Sequence, residues 1–253
     1  MHPSTSDSTH ARPPRQKNGI VVGVIDSGWD RTIVEPRVLT GLAFSGLPIR
    51  RISDDHDRHG HGTMCTNIIL DATNECAVLP IRVFGTDLET SPDTLVEAIS
   101  FAADRGLKLI NLSLGTLRRD AARALYLACD AAVRRGVIII AAARPGADGW
   151  SYPAVFEPVI GVGSAKLEDP MAIWYRPGDP IECGVRTSRR ATRGLRGFAT
   201  VVDGTSFGAP LVTAMVARWL GDTPDLTVVS VRARLERAIN GGRTFIDAGP
   251  ALA

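Results

Sequence analysis

The chain alternates between short, predominantly apolar runs and longer stretches whose apolar residues recur every three or four positions. The continuous runs cover 20–25, 77–83, 107–112, 137–143 and 158–163. They are too short and too unbroken for amphipathic helices, and they read as strands buried on both faces of a parallel sheet. The periodic stretches predict helices over 62–72, 92–105, 119–135, 209–220 and 226–239. Ser91-Pro92-Asp93 opens the second with a cap, a first-turn proline and an acid at the positive end of the dipole, and Gly106 stops it. Ala121, Leu125, Cys129 and Val133, four residues apart, mark the third, which Gly136 ends. Asn240-Gly241 closes the last. Strand–helix alternation predicts an α/β fold: a central, mostly parallel sheet with right-handed crossovers and helices on both faces. Two strands carry expectations of place. Residues 137–143 read as the central strand, and Pro80 marks 77–83 as irregular or near an edge, because proline cannot donate to a ladder. Residues 36–52 read as irregular or short β structure.

Of 253 residues, 44% are hydrophobic, enough for one sizeable core. Residues 1–18 are polar and rich in Ser, Pro and Arg, and are expected to be a disordered tail. No linker divides 19–253, which reads as a single domain. A net charge of +2 gives no argument for nucleic acid. No run is long enough to span a membrane, and the N-terminus lacks the apolar core of a secretory signal. Cys65, Cys76, Cys129 and Cys183 form no CxxC pair. Cys65 and Cys129 fall in apolar helical patterns, as buried thiols do. Free thiols favour a reducing compartment. A cytoplasmic protein is the expectation; the oligomeric state is left open.

Three polar stretches interrupt this pattern. In Asp203-Gly204-Thr205-Ser206-Phe207-Gly208-Ala209-Pro210, a Ser sits in a glycine turn just before a helix of small residues, where free N–H groups and the helix dipole can serve a nucleophile and an oxyanion. On its own, this Ser reads as a helix cap. Asp26-Ser27-Gly28 ends the first apolar run, where open α/β sheets place functional groups. Asp54, Asp55, His56, Asp57, His59 and His61 crowd the entrance to the first helix. Three His so close raise a metal site, but the pair His59 and His61 straddles a glycine turn and shares no helix face. A solvated loop leading to one functional His is favoured, and no metal is assigned. Residues 186–196 hold Arg186, Arg189, Arg190, Arg193 and Arg196. They read first as a solvated loop, with contact to an acidic substrate or partner as the alternative.

Taken together, Asp-Ser-Gly, His-Gly-Thr and Gly-Thr-Ser-Phe-Gly-Ala-Pro occur in the order Asp, His, Ser, one of the known chain orders of a serine triad. The chain resembles the subtilisin-like serine proteases from about Gly19 to Leu220. The resemblance implies the three-layer fold of that family and a triad of Asp26, His61 and Ser206. His61 is chosen over His59 because it precedes Gly62-Thr63. The backbone N–H of Ser206 would serve the oxyanion. Ser113-Leu114-Gly115 would line the substrate cleft and pair with the substrate backbone as an added strand. Ala142 would contact the substrate, and Tyr152, in a candidate cis Tyr152-Pro153 bond, would stand at the wall of the primary specificity pocket. Ser151 would form its floor and make it shallower. No cofactor is required. Calcium is common in the family, but no compact acidic loop here demands it.

The sequence departs from the family at one place. Where the family has Gly-Asn after an Ala-rich strand end, this chain reads Ala141-Ala142-Ala143-Arg144-Pro145-Gly146. Loss of such an oxyanion donor costs about 100- to 1000-fold in turnover. Thr205 or Arg144 is the candidate replacement. The tail is also shorter than the pro-domain of secreted relatives. Either the chain is a mature form, or it folds in the cytoplasm without a chaperoning pro-segment; the second is favoured, and such a protease needs other restraint. The expected function is therefore hydrolysis of a peptide or protein substrate through an acyl-enzyme, as limited proteolysis or maturation of a specific peptide. Acyl transfer to an amine on the same triad, and a non-catalytic peptide-binding relative, are the alternatives.

Overall fold

The continuous apolar runs become neighbouring strands of one nine-stranded sheet. A computed structural model of the chain describes residues 19–46, 48–85, 87–146 and 150–240. The expected tail over 1–18 and the helix stop at Gly241 lie outside the described residues. The sheet contains β1 (Ile20–Asp26), β2 (Leu42–Ser45), β3 (Arg50–Ile52), β4 (Cys76–Arg82), β5 (Leu109–Leu112), β6 (Ile138–Ala142), β7 (Ile160–Ser164), β8 (Ile173–Tyr175) and β9 (Cys183–Val185). Their order is β3-β2-β4-β1-β5-β6-β7-β9-β8. Neighbours from β2 through β9 run parallel, and the outer pairs β2–β3 and β8–β9 are antiparallel.

Helices α1 (His61–Ala72), α2 (Pro92–Asp104), α3 (Ala122–Arg134), α4 (Ala209–Asp222) and α5 (Val228–Asn240) follow the predicted spans closely. Side chains alternate across the sheet with period two. Val22, Val24, Leu109 and Ile138 pack on one face with Ile69 of α1 and Val212 and Val216 of α4. Ile25, Ile110, Leu112 and Ile139 pack on the other with Ile99 of α2 and Leu125 and Cys129 of α3. All four Cys are buried free thiols.

Three expectations need correction. The middle strand is β5, with β6 beside it. Pro80 lies inside β4, an interior strand, paired in register with Val24. It is tolerated because of what faces it. Val78 exchanges hydrogen bonds with Arg37 and Leu39 on the β2 side of β4. Pro80 presents its backbone to that same side, where the Leu39 carbonyl accepts from Arg31 at 3.0 Å instead. The Arg-rich segment is no solvated loop: it builds β10 (Arg190–Arg193), paired antiparallel with β11 (Ala199–Val202). Arg190 is buried and donates to the carbonyls of Pro170 and Arg186, both at 2.9 Å. Arg193 pairs with Asp71 of α1 at 2.7 Å. Backbone partners across strands that follow one another only loosely in sequence supply what local periodicity does not carry.

The parallel arrangement brings the carboxyl ends of β1, β5 and β6 to one edge of the sheet. The first turn of α1 and the approach to α4 meet them there.

Candidate active site

Asp26, the last residue of β1, is fully buried. The chain turns at once through Gly28, whose φ is +106°. A side chain there would place a Cβ 2.1 Å from the Asp55 carbonyl oxygen. Gly62 is equally constrained: a Cβ would sit 2.5 Å from the Gly28 carbonyl oxygen. Its N–H donates to Ser27 Oγ at 2.8 Å. Two glycines thus press the start of α1 against the end of β1, and His61 Nδ1 lies 2.7 Å from Asp26 Oδ1. Asp26 Oδ1 also accepts from the Ser27 N–H, while the buried Oδ2 has no partner among the described residues.

Thr63 explains why His61 rather than His59 takes this place. Its N–H and hydroxyl both donate to buried Asp57, at 2.9 and 2.7 Å, and its Oγ1 accepts from the Asp30 N–H. His59 is exposed. The rest of the polar cluster is occupied structurally. Asp54 pairs with Arg58 and Arg82, and Asp55 with Arg31. The buried Asp30, Asp55 and Asp57 all accept from protein donors, so none presents a bare pair of oxygens to calcium. The three histidines do not gather: among the described residues, the grouping at ligand spacing is Asp26, His61 and Cys65.

Burial works against a charged His61, but the Asp26 carboxylate outweighs it, and the imidazole pKa is raised above its ordinary 6.5. Cys65, one turn along α1, places Sγ 3.9 Å from His61 Nδ1 and donates to the Ser206 carbonyl at 3.6 Å. Burial pushes its thiol up, so it stays protonated.

Ser206 lies in a 3₁₀ turn, Thr205–Phe207, entered through Gly204 at φ +129°. The N–H groups of Phe207 and Gly208 go to the carbonyls of Gly204 and Thr205. Ser206 N–H has no acceptor among the described residues and is free for a ligand. The Ser206 carbonyl is anchored by Ser113 Oγ at 2.7 Å. Asn111 Nδ2 donates to Ser113 Oγ at 3.0 Å, and Thr213 Oγ1 to Asn111 Oδ1 at 2.9 Å. This buried chain ties α4 and β5 to the serine turn. Sequence reasoning missed Cys65, Asn111 and Thr213 in these roles. The available signal was a polar residue set inside an otherwise apolar strand or helix face, which carries a hydrogen-bonding obligation.

His61 and Ser206 border one cavity of about 410 Å³, together with Ser113, Leu114 and Gly115 and the apolar Phe84, Leu88 and Leu95. Among the described hydrogen bonds none joins the His61 ring to Ser206 Oγ; such bonds often tighten only with substrate. Ser206 also borders a second cavity, of about 310 Å³, with Gly115, Ala142, Arg144, Ser151 and Thr205. Tyr152 is absent from that lining. It borders the neighbouring depression with Arg144 and Trp150, and stacks on Phe156. The Tyr152-Pro153 bond is cis, as expected. Among the described residues, no Asn or Gln borders either cavity. A nucleophile, a buried carboxylate–imidazole pair and a free N–H beside small pockets suit acyl transfer.

A family model described as the subtilase family, Peptidase S8, matches residues 17–249. The chain belongs to the subtilase family. Members of this family are serine proteases, hydrolases acting on peptide substrates. Subtilisin DY from Bacillus licheniformis is 28% identical over 237 residues, covering 89% of this chain and 86% of the relative. M-protease from Shouchella clausii is 27% identical, covering 88% of this subtilase but 60% of the relative. In fold it is similar to a cold adapted subtilisin-like serine proteinase, with a TM-score of 0.72, 21% identity, and coverage of 87% of this chain and 81% of that one. It is also similar to a lanthipeptide protease, with a TM-score of 0.71, 18% identity and the same coverage. No helix among the described residues of this subtilase is long and apolar enough to cross a membrane.

Proposed function

We propose that this subtilase is an endopeptidase that cleaves a specific peptide through an acyl-enzyme, with Asp26, His61 and Ser206 as its triad. The observation that carries the proposal is the buried 2.7 Å pair of His61 Nδ1 and Asp26 Oδ1 at a cavity that Ser206 also lines. Ser206 Oγ attacks the carbonyl carbon while neutral His61 takes its proton. The tetrahedral oxyanion is met by the Ser206 N–H. His61 then gives the proton to the leaving amine, and water repeats the sequence on the ester. Asp26 holds the imidazole in register and stabilises its cation. Thr205, beside Ser206, and Arg144, on the same cavity wall, are the candidates for a further oxyanion donor.

The restriction to one peptide is supported by the absence of an amide side chain after β6, which slows the chemistry. A lanthipeptide protease among its structural neighbours fits a maturation role. The free buried thiols favour a cytoplasmic location. A fluorophosphonate probe tests the catalytic core: mass spectrometry is expected to place the label on Ser206 and to find none in Ser206→Ala. Rapid, unselective digestion of casein would overturn the restriction to a specific peptide.

A further inference from the structure

The pocket next to Ser206 has a chemical bias that the family assignment does not supply. Its described lining is apolar groups, Leu114 and Leu117 the largest, and hydroxyls, with one charged side chain, Arg144. The backbone at Arg144 is pinned. Ala143 N–H donates to the Val162 carbonyl at 2.8 Å, and Arg144 N–H to Ser151 Oγ at 2.9 Å. Arg144 therefore leaves β6 from a fixed point, and its side chain borders the Ser206 cavity and both flanking depressions. One of these adds the cation of Arg119, and the other the carboxylate of Asp179.

Ser151, 3% exposed, supplies the second half of the argument. Its oxygen is used as the acceptor for Arg144 N–H, and its own hydrogen has no acceptor among the described residues. The pocket floor thus offers an O–H donor, and its wall a guanidinium. Gly115 keeps the space open: a Cβ there would stand 3.0 Å from the Tyr152 carbonyl oxygen and 3.4 Å from Ser151 Oγ. A donor and a cation, with no carboxylate among the described residues of this lining, match a carboxylate. A basic side chain would meet like charge, and a large apolar one would strip water from two polar groups without replacing its hydrogen bonds.

We infer that this pocket selects an acidic residue, Glu or Asp, at the position whose carbonyl Ser206 attacks, with Arg144 as the specificity-determining side chain and Ser151 as its partner. The inference rests on the reading of Ser206 as the nucleophile. The test uses five peptides that differ only at that position: Glu, Asp, Gln, Leu and Lys. The expected kcat/KM for Glu exceeds that for Gln by about tenfold, the size of one charge-assisted contact. Added salt should shrink the gap, since Arg144 is exposed. Arg144→Gln should bring the Glu-to-Gln ratio towards one, and Arg144→Glu should invert the Glu-to-Lys preference. A purely structural or oxyanion role for Arg144 would lower all five peptides together and leave the ratios unchanged, which overturns the proposal. So does a wild-type preference for Leu over Glu, or labelling of Ser206 without cleavage of the Glu or Asp peptide. Absence of fluorophosphonate labelling in the folded protein instead sinks the catalytic reading, and this one with it.

Discussion

At the scale of single residues, the proposed mechanism makes the Asp26–His61 pair set both rate and pH dependence. Asp26→Asn keeps the shape but loses the charge that orients the imidazole, and kcat should fall by about 10⁴-fold. Only neutral His61 can take the serine proton. Because Asp26 raises the imidazole pKa, the acid limb of a kcat/KM profile should lie above 6.5, with activity growing as pH rises through the folded-state value. Stability runs the other way. The pair's contribution is complete below the unfolded imidazole pKa and is lost as pH rises through the folded one. Denaturant titrations across that range should show stability falling while activity climbs; an acid limb at or below 6.5 would contradict the assignment. Gly62 is the second residue-scale test. An Ala at this position meets the Gly28 carbonyl oxygen at 2.5 Å, so α1 must back away from β1. Gly62→Ala should cost about 1–3 kcal/mol and reduce kcat more than it raises KM, because the displaced group is His61. Asp26, His61 and Ser206 were legible because each sits in a short motif with its own glycine. Cys65, Asn111 and Thr213 were not, because their partners come from α1, β5 and α4 and meet only after folding.

At the scale of elements, local chemistry settled more than position did. Ser91 caps α2 as its sequence foretells, accepting from the Thr94 N–H at 3.1 Å. Ser91→Ala should lower stability by about 1 kcal/mol, a shift of roughly 2–4 °C in Tm for a chain of this size. The hairpin of β10 and β11 is the counterexample. Its arginines look solvated in sequence, yet Arg190 is desolvated to the point that burial lowers its pKa to about 10. Asn67 of α1 donates to the Arg193 carbonyl at 2.8 Å, and Asp203, just before the serine turn, accepts from the Arg189 N–H at 2.9 Å. The segment braces the triad elements through Arg190 and Arg193, while Arg189 and Arg196 stay exposed.

At the scale of the whole molecule, one buried cluster fastens the last helix to the far end of the sheet. Glu182, beside β9, is 3% exposed and accepts from Arg232 of α5, from its Nε at 2.9 Å and a terminal nitrogen at 2.8 Å, and from the Tyr175 hydroxyl of β8. Arg232 also donates to the Glu157 carbonyl at 2.7 Å. Arg232→Met leaves a buried carboxylate without its cation and should destabilise by about 3 kcal/mol. Combining it with Glu182→Leu should recover part of that loss in a denaturation cycle, because the stranded charge is then gone. Activity per folded molecule should change little in either variant, since the cluster lies away from His61 and Ser206.

By itself, the sequence determined the α/β class, the buried strands and the helix starts, and it singled out the three residues proposed as the triad. Periodicity, caps and glycine motifs are local, and they act over distances that a few residues span. Tertiary structure decided the rest. It placed β5 in the middle, made room for Pro80 by diverting the Leu39 carbonyl to Arg31, turned an arginine-rich stretch into a brace, and set Arg144 above Ser151 at the serine pocket. Each of these depends on a backbone or side-chain partner far away along the chain. Hydrogen bonds and burial pair such groups by position in space, which no local pattern encodes.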